Sequence, residues 1–144
     1  MKKLKTTYKQ LDLSQYEVDE KFEAYCLENY DFNENLDFDN KTGVYLFTKR
    51  DMYSTYSPIY RREVYLHTPL YCGKTKDFNN RFNKHFKAED LKEAYCDYIS
   101  VYFCDTQDAS TDLEEKILSQ IKFPFNTDNN NNPKYKEGVM FTEV

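Results

Sequence analysis

The chain has 144 residues, of which 31% are charged, and its formal net charge is −5. This length suits one domain with one core and a peripheral element, and 14 Tyr with 11 Phe argue against a disordered chain. No apolar run approaches membrane-spanning length, and the Lys-rich start continues into polar residues, so we expect no membrane partner and a cytoplasmic location.

The cysteines are isolated from one another and from the two histidines. They show no Cys-x-x-Cys spacing, which argues against a zinc site, and separate thiols fit a reducing compartment. The four residues are Cys26, Cys72, Cys96 and Cys104.

Residues 1–41 are predicted to form an acidic N-terminal helical extension. The candidate helix runs from Val18 to Tyr30, because Phe22, Tyr25 and Cys26 recur at helical spacing. We expect this helix to pack on the rest of the domain. Its acidic surface could also cover a basic face or engage a protein partner.

Three strands are predicted in the centre of the chain. Thr42 to Thr48 is rich in β-branched and aromatic residues, a polar loop follows over 49–58, and Ile59 to His67 alternates in polarity. A further short strand, Pro69 to Gly73, ends at a glycine. Their connections are too short for helical crossovers, so antiparallel pairing is expected.

A basic helix is predicted next, from Asp77 to Lys87. Arg81 and His85 are four residues apart and fall together on the flank of a phenylalanine stripe. Lys and Arg outnumber Asp and Glu by nine to three between residues 43 and 87, whereas the rest of the chain is acidic. This pattern fits either a solvated charged surface or a binding face for an anion such as a phosphodiester backbone.

The last predicted helix, Asp108 to about Lys122, follows a predicted strand over 98–104. At about 100° per residue, Glu114 falls inside the apolar face and Glu115 points to solvent. A carboxylate inside an apolar stripe is costly unless it is paired or binds a metal. Residues 128–144 are predicted as an Asn-rich loop and a tail with a short strand over 138–142.

Taken in order, these features resemble the GIY-YIG endonuclease family over residues 42–127. The motifs that carry the resemblance are Gly43-Val44-Tyr45, Tyr71-Cys72-Gly73-x-Thr75, Arg81-x-x-x-His85, Leu113-Glu114-x-x-Ile117-Leu118 and Pro124-x-Asn126. The resemblance implies an α+β fold with a small three-stranded, mainly antiparallel sheet flanked by helices.

Two departures from the family pattern stand out. Cys72 replaces an aliphatic residue in the second tripeptide. Residues 46–70, which separate the two tripeptides, are more numerous than in the family pattern and so form an insertion. That insertion is either a DNA-contacting hairpin or a surface excursion without function.

The resemblance implies a small metal-dependent endonuclease that hydrolyses phosphodiester bonds in DNA, with Mg²⁺ or Mn²⁺ as cofactor. It gives each motif residue a role: Tyr45 as base, His85 as its proton acceptor, Arg81 and Tyr71 as phosphate ligands, Glu114 as metal ligand, and Asn126 as an amide that fixes local geometry. A phenol has a pKa of about 10, which is why Tyr45 would need His85. Further contacts to nucleic acid are expected from Lys74, Lys76, Lys84, Arg50, Arg61 and Arg62.

A second hypothesis keeps the fold without the chemistry. In it, the chain is a catalytically inactive GIY-YIG-fold module that binds nucleic acid or protein. A homodimer, which a double-strand break would need, and the choice between DNA and RNA stay open.

Overall fold

A computed structural model describes residues 8–27, 41–78, 88–126 and 140–144. Its strands and helices, in chain order, are β1 (Tyr8–Leu11), β2 (Phe22–Cys26), β3 (Gly43–Arg50), β4 (Thr55–Ser57), β5 (Arg62–Thr75), α1 (Ala88–Glu93), β6 (Tyr98–Phe103), α2 (Gln107–Leu118) and β7 (Met140–Glu143). A 3-10 turn, Ser14–Tyr16, lies between β1 and β2.

The strands form one seven-stranded antiparallel sheet in the order β1-β2-β6-β3-β5-β4, with β7 also paired to β5. The central strand is β3, which pairs with β5 on one side and with β6 on the other. Asp12 and Phe141 exchange backbone hydrogen bonds of 2.8 and 3.2 Å, which bring the end of β1 to β7. The sheet therefore curls into a nearly closed barrel.

This architecture corrects the predicted fold class. The three-stranded sheet flanked by helices is wrong, and so is the helical N-terminal extension, because residues 8–27 supply two strands of the same sheet. Phe22 and Ala24 alternate with partly exposed neighbours and are fully buried, which is the period of a strand. Pairing with β1 and β6 outweighs the helical spacing of a few aromatic residues.

The two strands predicted over 59–67 and 69–73 are one long strand, β5. Pro69 does not break it, because Pro69 lies where the register between β3 and β5 shifts, next to Phe47 and Thr48. The 46–70 insertion thus consists of the end of β3, the short β4 and the first part of β5, and it prolongs the central hairpin.

Each face of the central strands carries its own apolar layer. Val44, Leu46 and Cys72 pack with α2 residues such as Ile117 on one face. Tyr45, Phe47, Tyr71 and Leu91 of α1 form a second cluster on the other face. Because side chains alternate along a strand, neighbouring residues of each tripeptide point to opposite layers.

Two predicted elements near the C-terminus are confirmed. The helix predicted from Asp108 is α2, in which Glu114 is buried and Glu115 is exposed, and the Oγ1 atom of Thr106 caps its start by accepting from the Ala109 amide at 3.1 Å. The predicted tail strand is β7. Among the described residues, no helix is long and apolar enough to cross a membrane.

Candidate active site

Tyr45 and Tyr71, the tyrosines of the two tripeptides, lie in contact on paired strands. Tyr45 is opposite Gly73 and Phe47 is opposite Tyr71, so the two tyrosines are diagonal neighbours on one face of the sheet. Their ring centroids are 6.1 Å apart with an interplanar angle of 34°. Phe47 and Phe78 pack edge-on against Tyr45 at 5.5 and 6.1 Å, which fixes the orientation of its ring.

The glycine of the second tripeptide makes room for the tyrosine of the first. A Cβ atom on Gly73 would lie 2.4 Å from both the Cζ atom and the hydroxyl oxygen of Tyr45. Gly43 is restricted in a different way, because its Cβ atom would lie 2.0 Å from the carbonyl oxygen of Tyr102 on β6. The glycine of each tripeptide therefore has a steric basis in this sheet.

The tyrosine pair is almost enclosed by protein. Tyr45 has 0% and Tyr71 has 8% of its surface exposed. In the observed arrangement the Tyr45 phenol does not contact bulk solvent. Substrate access to this ring requires the side chains that cover it to move.

Asn126 binds the backbone of Cys72, the middle residue of the second tripeptide. Its Oδ1 atom accepts from the Cys72 amide and its Nδ2 atom donates to the Cys72 carbonyl, both at 2.8 Å. The Phe125 amide also donates to the Leu70 carbonyl at 3.0 Å. These bonds satisfy backbone groups on the edge of β5 that does not pair with β3. The catalytic role of Asn126 stays a prediction.

Glu114 lies in the other layer, away from the tyrosine pair. It is carried by α2, which packs on the face that contains Cys72, and its side chain is buried. Burial first, and then the charge of Glu114, raises the pKa of the Cys72 thiol well above its usual range. The tyrosine pair and Glu114 thus lie on opposite faces of β5, and Asn126 binds the strand edge between them.

Arg81 and His85, the other two predicted catalytic residues, lie outside the described residues, as does Lys84. Their roles stay predictions. The predicted helix over 77–87 is described only as far as Phe78, which is fully buried.

The predicted nucleic-acid ligands fall into two groups. Lys74, Lys76 and Arg61 are exposed, and Lys74 donates to the Oγ1 atom of Thr111 at 2.7 Å. The exposed lysines remain available to an anion.

Arg50 and Arg62 are instead held by the protein. The Arg50 guanidinium lies 4.1 Å from the centroid of the Tyr65 ring and donates to the Tyr98 hydroxyl at 3.2 Å. Arg62 forms an ion pair with Glu143 of β7. Part of their hydrogen-bonding capacity is therefore already used within the chain.

Sequence reasoning assigned no role to His67, which is the centre of a buried polar cluster. Its Nδ1 atom lies 2.8 Å from the Thr48 hydroxyl and its Nε2 atom 2.9 Å from the Thr142 hydroxyl, linking β3, β5 and β7. Burial, and then the positive charges of Arg50 and Lys49, lowers the pKa of His67 to about 3. A neutral imidazole with a hydrogen bond at each ring nitrogen stabilises the sheet and is not positioned as a general base.

The donor set for a metal is small in the part of the chain that the structure describes. Across residues 8–27, 41–78, 88–126 and 140–144, no group of three or more His, Cys, Asp or Glu side chains is arranged to hold an ion. The role of Glu114 as a ligand of Mg²⁺ therefore stays a prediction; this ion commonly takes one or two carboxylates and completes its shell with phosphate oxygens and water.

Comparisons of the chain with protein-family models, with curated proteins and with solved structures found no match.

Proposed function

We propose that this chain is a metal-dependent endonuclease of the GIY-YIG type that hydrolyses phosphodiester bonds in DNA. The observation that carries the proposal is the ring contact between Tyr45 and Tyr71 on paired strands. The Tyr45 phenol packs directly on Gly73, where a side chain would leave no room for it. Sequence order alone does not require two tyrosines 26 positions apart to meet in this way.

Two further observations support the proposal. Asn126 holds the second tripeptide through both backbone groups of Cys72. Glu114 is buried on α2, at the position to which the resemblance gives the metal ligand. Both residues belong to the motifs that surround the tripeptides in the sequence.

The roles of the residues follow from the needs of phosphodiester hydrolysis. An attacking water has to lose a proton, charge on the phosphate has to be stabilised, and the leaving oxygen needs help. Tyr45, with His85 as acceptor, takes the proton; Arg81 and Tyr71 bind the phosphate. Glu114 would hold one Mg²⁺ or Mn²⁺, which supplies positive charge next to the phosphate oxygens.

Lys74 and Lys76 bring DNA to the site through its backbone. Both lysines are exposed and follow Gly73 directly on the strand and turn that present the second tripeptide. Cationic side chains at such positions raise the affinity for phosphates without reading sequence.

The burial of Tyr45, and the position of Glu114 on the opposite face of β5, favour a second candidate function. A phenol with 0% of its surface exposed cannot take a proton from water bound to a phosphodiester without rearrangement. The alternative is a GIY-YIG-fold module that binds nucleic acid and does not cut it.

One experiment separates the two functions. The intact chain is incubated with supercoiled and linear DNA in Mg²⁺ or in EDTA, and binding and cleavage are measured on the same samples. Mg²⁺-dependent nicking supports the endonuclease, whereas binding without cleavage in either condition supports the module. Failure to bind DNA at low salt overturns both.

A further inference from the structure

Residues 51–61, which we call the hairpin arm, extend the central hairpin beyond the rest of the sheet. The arm contains the bend after β3, the strand β4 and the turn into β5. Four large apolar or aromatic side chains on it are 56–78% exposed. They are Met52, Tyr53, Tyr56 and Ile59. So many exposed side chains in eleven residues mark an interaction surface.

The hairpin arm is held in place at its base and at its apex. The Asp51 amide donates to the Leu66 carbonyl at 2.8 Å, and the Arg61 amide donates to the Ser57 carbonyl at 2.7 Å. The ring of Tyr60 packs on Phe141 with centroids 4.7 Å apart. A surface fixed in this way loses little conformational entropy when it binds.

The charges around the hairpin arm favour a polyanion as its partner. Within residues 50–62 there are three arginines and one acid, Asp51. Arg50 lies on aromatic rings and Arg62 is paired with Glu143, so the positive charge that the arm itself presents comes from Arg61. Arg61 is exposed next to the arm's apex. Flat tyrosine faces next to a cation are suited to stacking on nucleobases whose phosphates lie near the arginine.

The length of β5 limits the distance between the hairpin arm and the tyrosine pair. Tyr56 is paired with Glu63, which is eight residues from Tyr71 on the same strand. At a strand rise of 3.3–3.4 Å per residue the separation is at most about 27 Å. At 3.4 Å per base pair, this distance corresponds to roughly eight base pairs of duplex DNA.

We propose that the hairpin arm is a base-stacking contact of the DNA substrate, with Tyr53 and Tyr56 stacking on bases up to about eight base pairs from the bond that is cut. The inference rests on the proposed function for the position of the cut, but the contact itself is a binding property. It can therefore be tested without cleavage.

The test is DNA affinity in EDTA, measured by fluorescence anisotropy with a labelled duplex over a range of salt concentrations. The variants are Tyr53→Ala and Tyr56→Ala, with Tyr95→Ala as the matched control, since Tyr95 is also exposed (71%) but lies outside the arm. Each arm variant is expected to bind about tenfold more weakly, with an unchanged salt slope because no charge is lost. Arg61→Gln should instead reduce the slope by about one.

The outcomes separate the two proposals. Equal affinities of wild type and both arm variants overturn the stacking contact, even if wild type cuts DNA. Weaker binding by the arm variants supports the contact, even if wild type does not cut. A change in sedimentation of the arm variants with unchanged DNA affinity also overturns it and identifies the arm as a contact between protein chains.

Discussion

Asn126 forms two hydrogen bonds of 2.8 Å with the backbone of Cys72 and so ties the segment after α2 to the edge of β5. A single side chain thereby replaces the strand that would otherwise pair there. Because Cys72 lies between Tyr71 and Gly73, this contact sets the position of the strand that carries half of the candidate site.

Removing this contact should destabilise the protein. Asn126→Ala leaves the Cys72 amide and carbonyl without these partners, and the free energy of unfolding should fall by about 1–3 kcal/mol. Asn126→Asp keeps the acceptor but sets a carboxylate oxygen against the Cys72 carbonyl oxygen, so its loss should be at least as large. Urea denaturation measures the stability of both variants. An unchanged midpoint for Asn126→Ala would show that the two Asn126–Cys72 hydrogen bonds do not contribute to stability.

The packing of Tyr45 on Gly73 predicts a coupled pair of substitutions. Gly73→Ala should lower the free energy of unfolding by about 1–3 kcal/mol, because the new Cβ atom meets the Tyr45 ring 2.4 Å away. In a Tyr45→Leu background the ring is gone, so the same change should cost at least about 1 kcal/mol less. A double-mutant cycle measures the coupling, and strictly additive effects would contradict the contact.

The buried His67 predicts a pH dependence of stability. The unfolded chain binds a proton at this residue near pH 6.5, whereas the folded protein does so only at about pH 3. The stabilisation from neutral His67 is therefore complete above pH 6.5 and is lost progressively as the pH falls toward 3, at no more than about 1.4 kcal/mol per pH unit.

The comparison that isolates this effect is wild type against His67→Gln, by urea unfolding between pH 7 and pH 4. Other acids titrate in both proteins, so the difference between the two curves reports on His67. Wild type should lose stability more steeply; parallel curves would mean that folding does not lower the pKa of His67.

The amphipathic helix α2 and single strands such as β3 and β7 could be predicted from the sequence, whereas the number and order of the strands in the sheet could not. The phase of α2 depends on a regular local period, which placed Glu114 inside and Glu115 outside correctly. The strand β2 depends on pairing with β6, more than seventy positions later, and no local spacing of Phe22 and its neighbours shows that partner. Nonlocal pairing is what turned a predicted small sheet into a nearly closed barrel.

The candidate site shows the same division. The motifs gave Tyr45, Tyr71, Asn126 and Glu114 to one site. The structure places Tyr45 against Tyr71 and Asn126 on the Cys72 backbone, but it places Glu114 on the opposite face of β5. The burial of Tyr45 and the retention of Arg50 on aromatic rings were not foreseen, because both depend on residues that arrive from other strands.

The Tyr71 hydroxyl should act on the rate of cleavage more than on affinity. Tyr71→Phe keeps the ring that packs with Tyr45 and removes the donor to the phosphate, so the rate should fall by about 100-fold. DNA affinity in EDTA should stay within about twofold. The control, Tyr95→Phe, should match wild type in both measurements. An unchanged cleavage rate for Tyr71→Phe would leave Tyr71 as a packing residue.

The most direct test of the proposed nuclease is the rate at which supercoiled DNA is nicked in Mg²⁺ by wild type, Glu114→Gln and Glu115→Gln. These two glutamates are adjacent on α2, one buried and one exposed, so they form a matched pair. Wild type and Glu115→Gln should nick at similar rates, and Glu114→Gln should be slower by about 100-fold or more while it still binds DNA and unfolds cooperatively. Loss of nicking in Glu115→Gln but not in Glu114→Gln, or no Mg²⁺-dependent nicking by wild type, would contradict the proposed site.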